Sequence, residues 1–325
     1  MAGMARVAPQ IRSLCRQLGV RLVTSSTASF SLAAAPASSS APSAATVRRG
    51  EAGRRGRFQL GIIGLGAIGK DVLQLCIDDA TLAANLHVPA ALVRRPRTEM
   101  TANGTLITSD AEAFFDHKFD AVLEVAGHNT VVEHGVRVLE GGANFIVTSV
   151  GAFSAHAQLL DSLRDAAVRG GTRLTIPSAG IGALDILAAA AVGGLDRVKM
   201  VVRKDPSAWY GTVAEDLFDL GSITDKSVNI FEGTAREGAA LYPQNVNISA
   251  AVALAGIGLD KTELLIVADP TIDTHVCEVS AWGAFGHFSF SENVAVSEHR
   301  KTGKIVAMAV VKTVRQLVSP IVVGH

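Results

Sequence analysis

The stretch DPTIDTHVCEV, residues 269–279, holds one histidine at the point where apolar and polar residues begin to alternate. Imidazole is the side chain whose unperturbed pKa lies close to neutrality, so a ring held at a cleft can take and return protons near pH 7. His275 opens a half-buried strand two residues past Asp273 and is placed for that task; a ring packed into a core is the structural alternative. A second constellation is Gly64-x-Gly66-x-x-Gly69, preceded by the apolar run FQLGII and followed by Val72, Leu75 and Cys76, which with Ile68 keep helical spacing. Strand, glycines, helix is the context a dinucleotide-binding turn requires. The first glycine permits the tight turn, the second lets a pyrophosphate approach the backbone, and the third lets helix pack on strand. N–H groups around Gly66, Ala67 and Ile68 would then face phosphates with the helix dipole behind them, unless the turn holds no ligand.

Two further groups bear on a bound dinucleotide. The apolar run VPAALV ends in Arg94-Arg95-Pro96-Arg97. An acid at the end of this strand selects NAD by bonding the ribose 2′-hydroxyl, whereas arginines attract the 2′-phosphate of NADP. NADP is therefore expected to be accepted at least as well as NAD, the alternative being a solvated loop whose arginines touch nothing. Asn245 follows Tyr242-Pro243-Gln244, and the proline fixes the entry to a helix. An amide in that first turn suits either a nicotinamide carboxamide or a helix cap.

These residues need a frame. FDAVLEVAG (119–127), NFIVTSVGA (144–152) and RLTIPSAGIGALD (173–185) each read as a buried strand followed by small or polar residues, with helical stretches at 129–141 and 153–169 between them. The pattern predicts an α/β domain over 58–195 with a doubly wound parallel (Rossmann) sheet, its ligands at the carboxyl ends of strands near Glu124, Ser149 and Ser178. His128 and His134 fall on or beside a helix, in a solvated or packed role. From 196 the rhythm changes. RVKMVVRKD, SVNIFEGTA, ELLIVADP, HVCEVSAWG and GHFSFSEN read as bunched strands, and residues 235–258 as two helical pieces broken at Pro243. A second, α+β domain is expected over 196–305, carrying substrate residues over the cofactor cleft, with a closing helix over 306–325 that returns to the first domain.

Composition narrows the function classes. The chain is 48% hydrophobic and 18% charged over 325 residues, enough for two cores. No apolar run reaches the ~18–20 residues of a membrane span. Residues 1–57 hold nine arginines and one acid, Glu51, so they carry +8 and the remaining chain −8. An acidic body speaks against nucleic acid as a partner. Three scattered cysteines give neither a disulfide framework nor a metal site. Arg6, Arg12, Arg16 and Arg21 lie among Val, Ile and Leu, and a Ser- and Ala-rich stretch follows. Such a segment reads as a disordered transit peptide directing the protein to an organelle, the mitochondrial matrix ahead of the plastid stroma, or else as an ordinary disordered tail.

In order and spacing, GLGAIG, TSVGAF, IPSAGIGALD, RKDP, FEGTAREGA, YPQNVNISAAVALAG, ADP and DTHVCEV resemble the L-aspartate dehydrogenase family over nearly all of residues 58–325. The resemblance implies oxidation of L-aspartate with NADP or NAD, giving oxaloacetate and ammonia by way of iminoaspartate. It also implies a Rossmann domain joined to a mixed-sheet domain, and a homodimer. Carried over, the family's catalytic histidine falls on His275 and its nicotinamide-side contacts on Asn245 and Gly180. A dicarboxylate substrate needs cations, which Lys204 in RKDP and Arg236 in TAREGA supply unless they lie on solvated faces. Two positions depart from the family's pattern: Ser178-Ala179-Gly180 stands where Ser-Gly-Ala is usual, a swap expected to do little harm, and Arg94-Arg95 replaces an acidic strand end. Fold alone would also admit a homoserine dehydrogenase-like or dihydrodipicolinate reductase-like enzyme, or a dinucleotide-binding protein without turnover.

Overall fold

The structure is a computed structural model and describes residues 56–243, 247–296 and 304–324. Residues 1–55 of the proposed transit segment, and Asn245, lie outside these residues.

Eight short strands build the first sheet: β1 (Phe58–Ile63), β2 (Leu86–His87), β3 (Ala90–Leu92), β4 (Thr98–Met100), β5 (Leu106–Thr108), β6 (Ala121–Glu124), β7 (Asn144–Val147) and β8 (Leu174–Thr175). They run in the order β4-β5-β3-β1-β6-β7-β8, with β2 beside the start of β1. All pairings are parallel except that of the edge strand β4. Sequential strands move away from β1 on one side and then on the other, so the order reverses between β1 and β6. A doubly wound sheet binds its ligand at that switch point.

Helices cover both faces, which is why the central strands are apolar throughout. On one face α2 (His128–Glu140) and α3 (Leu159–Gly170) bury Val131, Val138, Leu139 and Leu163 against Val122, Phe145 and Val147. On the other, α1 (Ala67–Asp78) buries Val72 and Cys76 against Leu60, Ile62 and Leu123. The sequence reading missed the β4–β5 hairpin, because Thr98, Glu99 and Met100 are all exposed and leave no burial pattern to read. The buried strand expected at the start of 173–185, ahead of its small and polar residues, is short. Only Leu174 and Thr175 pair; Pro177 has no N–H to continue the ladder, and α4 (Leu184–Val192) follows.

The second sheet comprises β9 (Leu195–Lys204), β10 (Val228–Thr234), β11 (Glu263–Ala268), β12 (His275–Gly283) and β13 (Gly286–Val294), in the order β10-β11-β9-β12-β13. β11 and β9 are parallel and the other pairs antiparallel, so the sheet is mixed. Val198, Met200, Val202, Cys277, Val279 and Ala281 alternate inward and pack on Leu187 of α4, on Ala239 of α5 (Ala235–Leu241), and on Val252 of α6 (Asn247–Ala255). α6 is thin enough to serve two cores. Its Ala250, Ala251 and Ala253 join the first sheet's core, while Val252 joins the second's. The last helix, α7 (Ile305–Val318), lays Ala307, Val310, Val311 and Val314 into the core of α1 and the first sheet, and Arg315 pairs with Asp79.

Candidate active site

The fingerprint turn shows three different reasons for glycine. Gly64 has φ +105°, and a Cβ there would stand 2.8 Å from Ala126 Cα and Val125 O. At Gly69 an added Cβ would meet Gly64 O at 2.0 Å, so this glycine sets the approach of α1 to the strand end. Gly66, the residue before α1, has nothing within 4 Å of its Cβ position. Packing explains the first and third glycines but not the second. An open backbone at the start of a helix, flanked by Ala67 and Ile68, is what a pyrophosphate needs. Gly64 N–H donates to Leu92 O at 2.9 Å, which fixes the end of β3 beside the turn. Arg94 and Arg95 follow two residues later; both are exposed and make no hydrogen bond or ion pair among the described residues, whereas Arg97 pairs with Glu99. These two cations thus border the switch point just past the end of β3.

Across that point, β6 ends in Glu124, which is fully buried. Its carboxyl accepts from Ala126 N–H and Gly127 N–H, both at 2.7 Å, from Ser149 N–H at 3.0 Å and from Ser149 Oγ–H at 2.8 Å. Burial pushes its pKa up and the four donors pull it back. Gly127 has φ +148° and, like Gly66, an open Cβ position. Next comes His128, the first residue of α2, whose Nε2 lies 3.0 Å from Asn247 Oδ1. The sequence reading gave neither Glu124 nor His128 a partner. An acid closing the otherwise apolar AVLE run was the available signal, since a buried carboxylate must be hydrogen-bonded.

Gly180 lies in a turn closed by Ile181 N–H to Ser178 O at 3.0 Å. A Cβ on it would stand 3.4 Å from Val306 and 3.6 Å from Ile248, so Gly180 sits where the chain entering α4 meets α6 and α7. The swapped residue, Ala179, has φ +48°, a left-handed conformation that costs a non-glycine residue about 1 kcal/mol. The exchange therefore places the methyl group on the residue with left-handed backbone.

His275 begins β12, is 6% exposed, and alternates onto the same face as Cys277, Val279 and Ala281. That face packs on Ile181, Leu187 and Val252, so His275 is on the side of the sheet that looks toward the Gly180 turn and α6. β12 runs antiparallel to β9 with Val276 opposite Arg203, and one step further the register brings His275 beside Lys204. Lys204 is 4% exposed, its Nζ 5.3 Å from the centre of the buried Trp209 ring. Burial lowers its pKa to about 8, with the neighbouring Cys277 opposing the shift. On the other flank Val294 faces His275 and Glu292 faces Cys277. Glu292 Oε2 accepts Gly182 N–H at 3.3 Å, its Oε1 is buried without a hydrogen-bond partner among the described residues, and burial raises its pKa. The acid occupies an inward position between Phe290 and Val294 in the FSFSENV run, a break in pattern that the sequence reading passed over.

Arg236 belongs elsewhere. Its guanidinium is held by both oxygens of Asp260, at 2.5 and 2.9 Å. It follows Thr234, which pairs with Glu263 at the start of β11, whereas Lys204 pairs with Ala268 at its end. Five residues of strand separate the two ends by roughly 17 Å. Arg236 is therefore a surface ion-pair residue of α5, and Lys204 is the cation beside His275.

Comparison with known proteins agrees with this division. Residues 64–177 match the model of the homoserine dehydrogenase NAD-binding domain, and residues 185–317 match that of the aspartate dehydrogenase C-terminal region. The chain is 40% identical over 259 residues to the L-aspartate dehydrogenase of Cupriavidus necator, covering 78% of this chain and 96% of that protein. It is 37% identical over 264 residues to the Pseudomonas aeruginosa enzyme of the same name, covering 77% and 94%. The crystal structure of Thermotoga maritima aspartate dehydrogenase superposes with a TM-score of 0.66 at 24% identity, over 83% of this chain and all of that one, and shares the fold. With an open dinucleotide turn at one sheet's switch point, a histidine–lysine pair at the end of the other, and relatives matched over nearly their full length, the chain belongs to the L-aspartate dehydrogenase family.

Proposed function

We propose that this protein oxidises L-aspartate to oxaloacetate and ammonia by way of iminoaspartate, reversibly, with NADP or NAD. The observation that carries this reading is His275, buried beside Lys204 on the sheet face that looks toward the Gly180 turn. The open turn at Gly66, Ala67 and Ile68 fits the cofactor's pyrophosphate and Arg94 and Arg95 its 2′-phosphate, and the family resemblance would put Gly180 and Asn245 on the nicotinamide side. When bound, the cofactor accepts hydride from the substrate's α-carbon. His275 takes the proton of the α-ammonium group and releases it to solvent, then takes a proton from the water that adds to the imine carbon and passes it to the departing amine, while the carbinol hydroxyl gives up its own proton to solvent as the carbonyl forms. Lys204 holds a substrate carboxylate. A carboxylate beside it reverses the effect of burial and keeps the lysine charged, so substrate binding near pH 8 is accompanied by proton uptake.

The test is absorbance of the reduced nicotinamide when L-aspartate is mixed with each cofactor. Turnover is expected with both, and a tenfold or greater preference for NAD would remove Arg94 and Arg95 from the 2′-phosphate site. His275→Ala is expected to lower kcat by at least about 10²-fold while cofactor affinity stays within about twofold. Near-normal turnover would reject the catalytic assignment. The homodimer and an organellar address in residues 1–57, the mitochondrial matrix favoured, complete the proposal. Sedimentation of the full chain and a reporter fused to residues 1–57 test these two.

A further inference from the structure

Two side-chain acceptors clip the loops that follow β6 and β7 beside the switch point, and only the inner one belongs to the first sheet. The inner acceptor is Glu124, whose carboxyl joins Ala126, Gly127 and Ser149. The outer acceptor is Asn247, the first residue of α6, whose Oδ1 lies 2.9 Å from Gly151 N and 3.0 Å from His128 Nε2. An amide N–H can only donate, so the Asn247 atom facing Gly151 is the oxygen, and His128, sharing that oxygen, carries its hydrogen on Nε2. The chain passes from Gly127 to His128 and from Ser149 to Gly151, so the four segments close into a ring: Glu124, residues 126–128, Asn247 and residues 149–151. Gly151 is required by this contact, because a Cβ there would stand 2.6 Å from Asn247 Oδ1 and 2.7 Å from His128 Nε2. The ring abuts the fingerprint through Ala126 and Val125, which lie against Gly64.

We propose that Asn247 is a positioning residue, whose carboxamide oxygen ties the start of α6 to His128 and Gly151 and thereby sets the spacing of the two loops flanking the nicotinamide half of the cofactor. The proposal rests on the dinucleotide reading above, but not on aspartate as substrate. Apolar packing of Ala250, Ala251 and Ala253 holds α6 against the first sheet's core without choosing a rotation or register to better than a side-chain width. A two-donor, one-acceptor junction at the first residue of the helix does choose it. The fingerprint and the end of β3 would hold the adenosine half across the switch point, where it would not depend on this junction.

The test compares two ligands on the full chain, NADPH by its fluorescence and ADP-ribose by competition. Asn247→Ala leaves a buried donor, Gly151 N–H, and a half-buried one, His128 Nε2–H, without an acceptor and is expected to weaken NADPH about tenfold while ADP-ribose stays within twofold. Asn247→Asp keeps an acceptor oxygen and is expected to bring NADPH back to within about threefold of the parent. His128→Ala removes a single donor and should reproduce the split at about threefold, which keeps the test open if Asn247→Ala does not fold. Parallel weakening of both ligands would mean a merely structural role, and no change in either would mean no role; both overturn the proposal. A parent chain that binds NADPH but ignores L-aspartate would sink the substrate reading and leave this measurement intact.

Discussion

At the scale of single residues, the role proposed for Lys204 is set against its cost to stability. Burial takes its pKa from lysine's ordinary 10.5 to about 8, which corresponds to about 3 kcal/mol of destabilisation when the group is charged in both states. Because the folded value is the lower one, the full penalty applies below pH 8. Between pH 8 and 10.5 the unfolded chain binds the extra proton, so stability climbs with pH, and above that window the penalty is gone. Lys204→Met is expected to stabilise the protein by about 1–3 kcal/mol at pH 7 while abolishing aspartate turnover. In urea unfolding, the difference between variant and parent should shrink as pH is raised from 7.5 to about 10. A constant difference would show that the lysine is not titrating from its buried site. Cys277, on the same inward face, has its thiol pushed up to about 12 by burial and takes no part in acid–base chemistry near neutrality.

At the scale of elements, the fingerprint turn separates folding from binding within six residues. Gly69→Ala would force a Cβ to 2.0 Å from Gly64 O; α1 must then move off the sheet, and a loss of several kcal/mol, seen as a lowered Tm, is expected. Gly66→Ala adds a methyl group to open space. Its φ of −72° suits alanine, so thermal stability should stay within about 0.5 kcal/mol of the parent. The pyrophosphate would lose its approach, and cofactor affinity should fall by tenfold or more in a fluorescence titration. If both variants melted alike and bound alike, the division of roles among these glycines would be wrong. The same scale explains which elements were legible. β1, β6, β9, β11 and β12 carry long apolar or alternating runs because one or both of their faces are buried. β4 and the two-residue β8 form by backbone pairing at a sheet edge, where side chains record almost nothing.

At the scale of the whole molecule, the helix after the second sheet returns to the core of the first. α7, the last helix, buries Ala307, Val310, Val311 and Val314 against Val72, Cys76 and Leu82. Three valines and an alanine are worth about 5 kcal/mol, comparable to the stability of a domain. Removing residues 304–325 is therefore expected to abolish cooperative unfolding of the dinucleotide domain by circular dichroism; a truncated chain melting within about 3 °C of the full one would refute that. The sequence by itself determined the type of domain at each end, the dinucleotide turn, the change from alternating to bunched strands at 196, and His275 as the residue to watch, because periodicity and glycine spacing are local properties of a chain. Only the tertiary structure decided which cation stands beside His275, that Arg236 is spent on Asp260, and that Glu124 and Asn247 clip two loops together. Those partners are 24 to 119 residues apart in the chain, and a hydrogen bond between distant residues has no spacing by which a sequence can announce it.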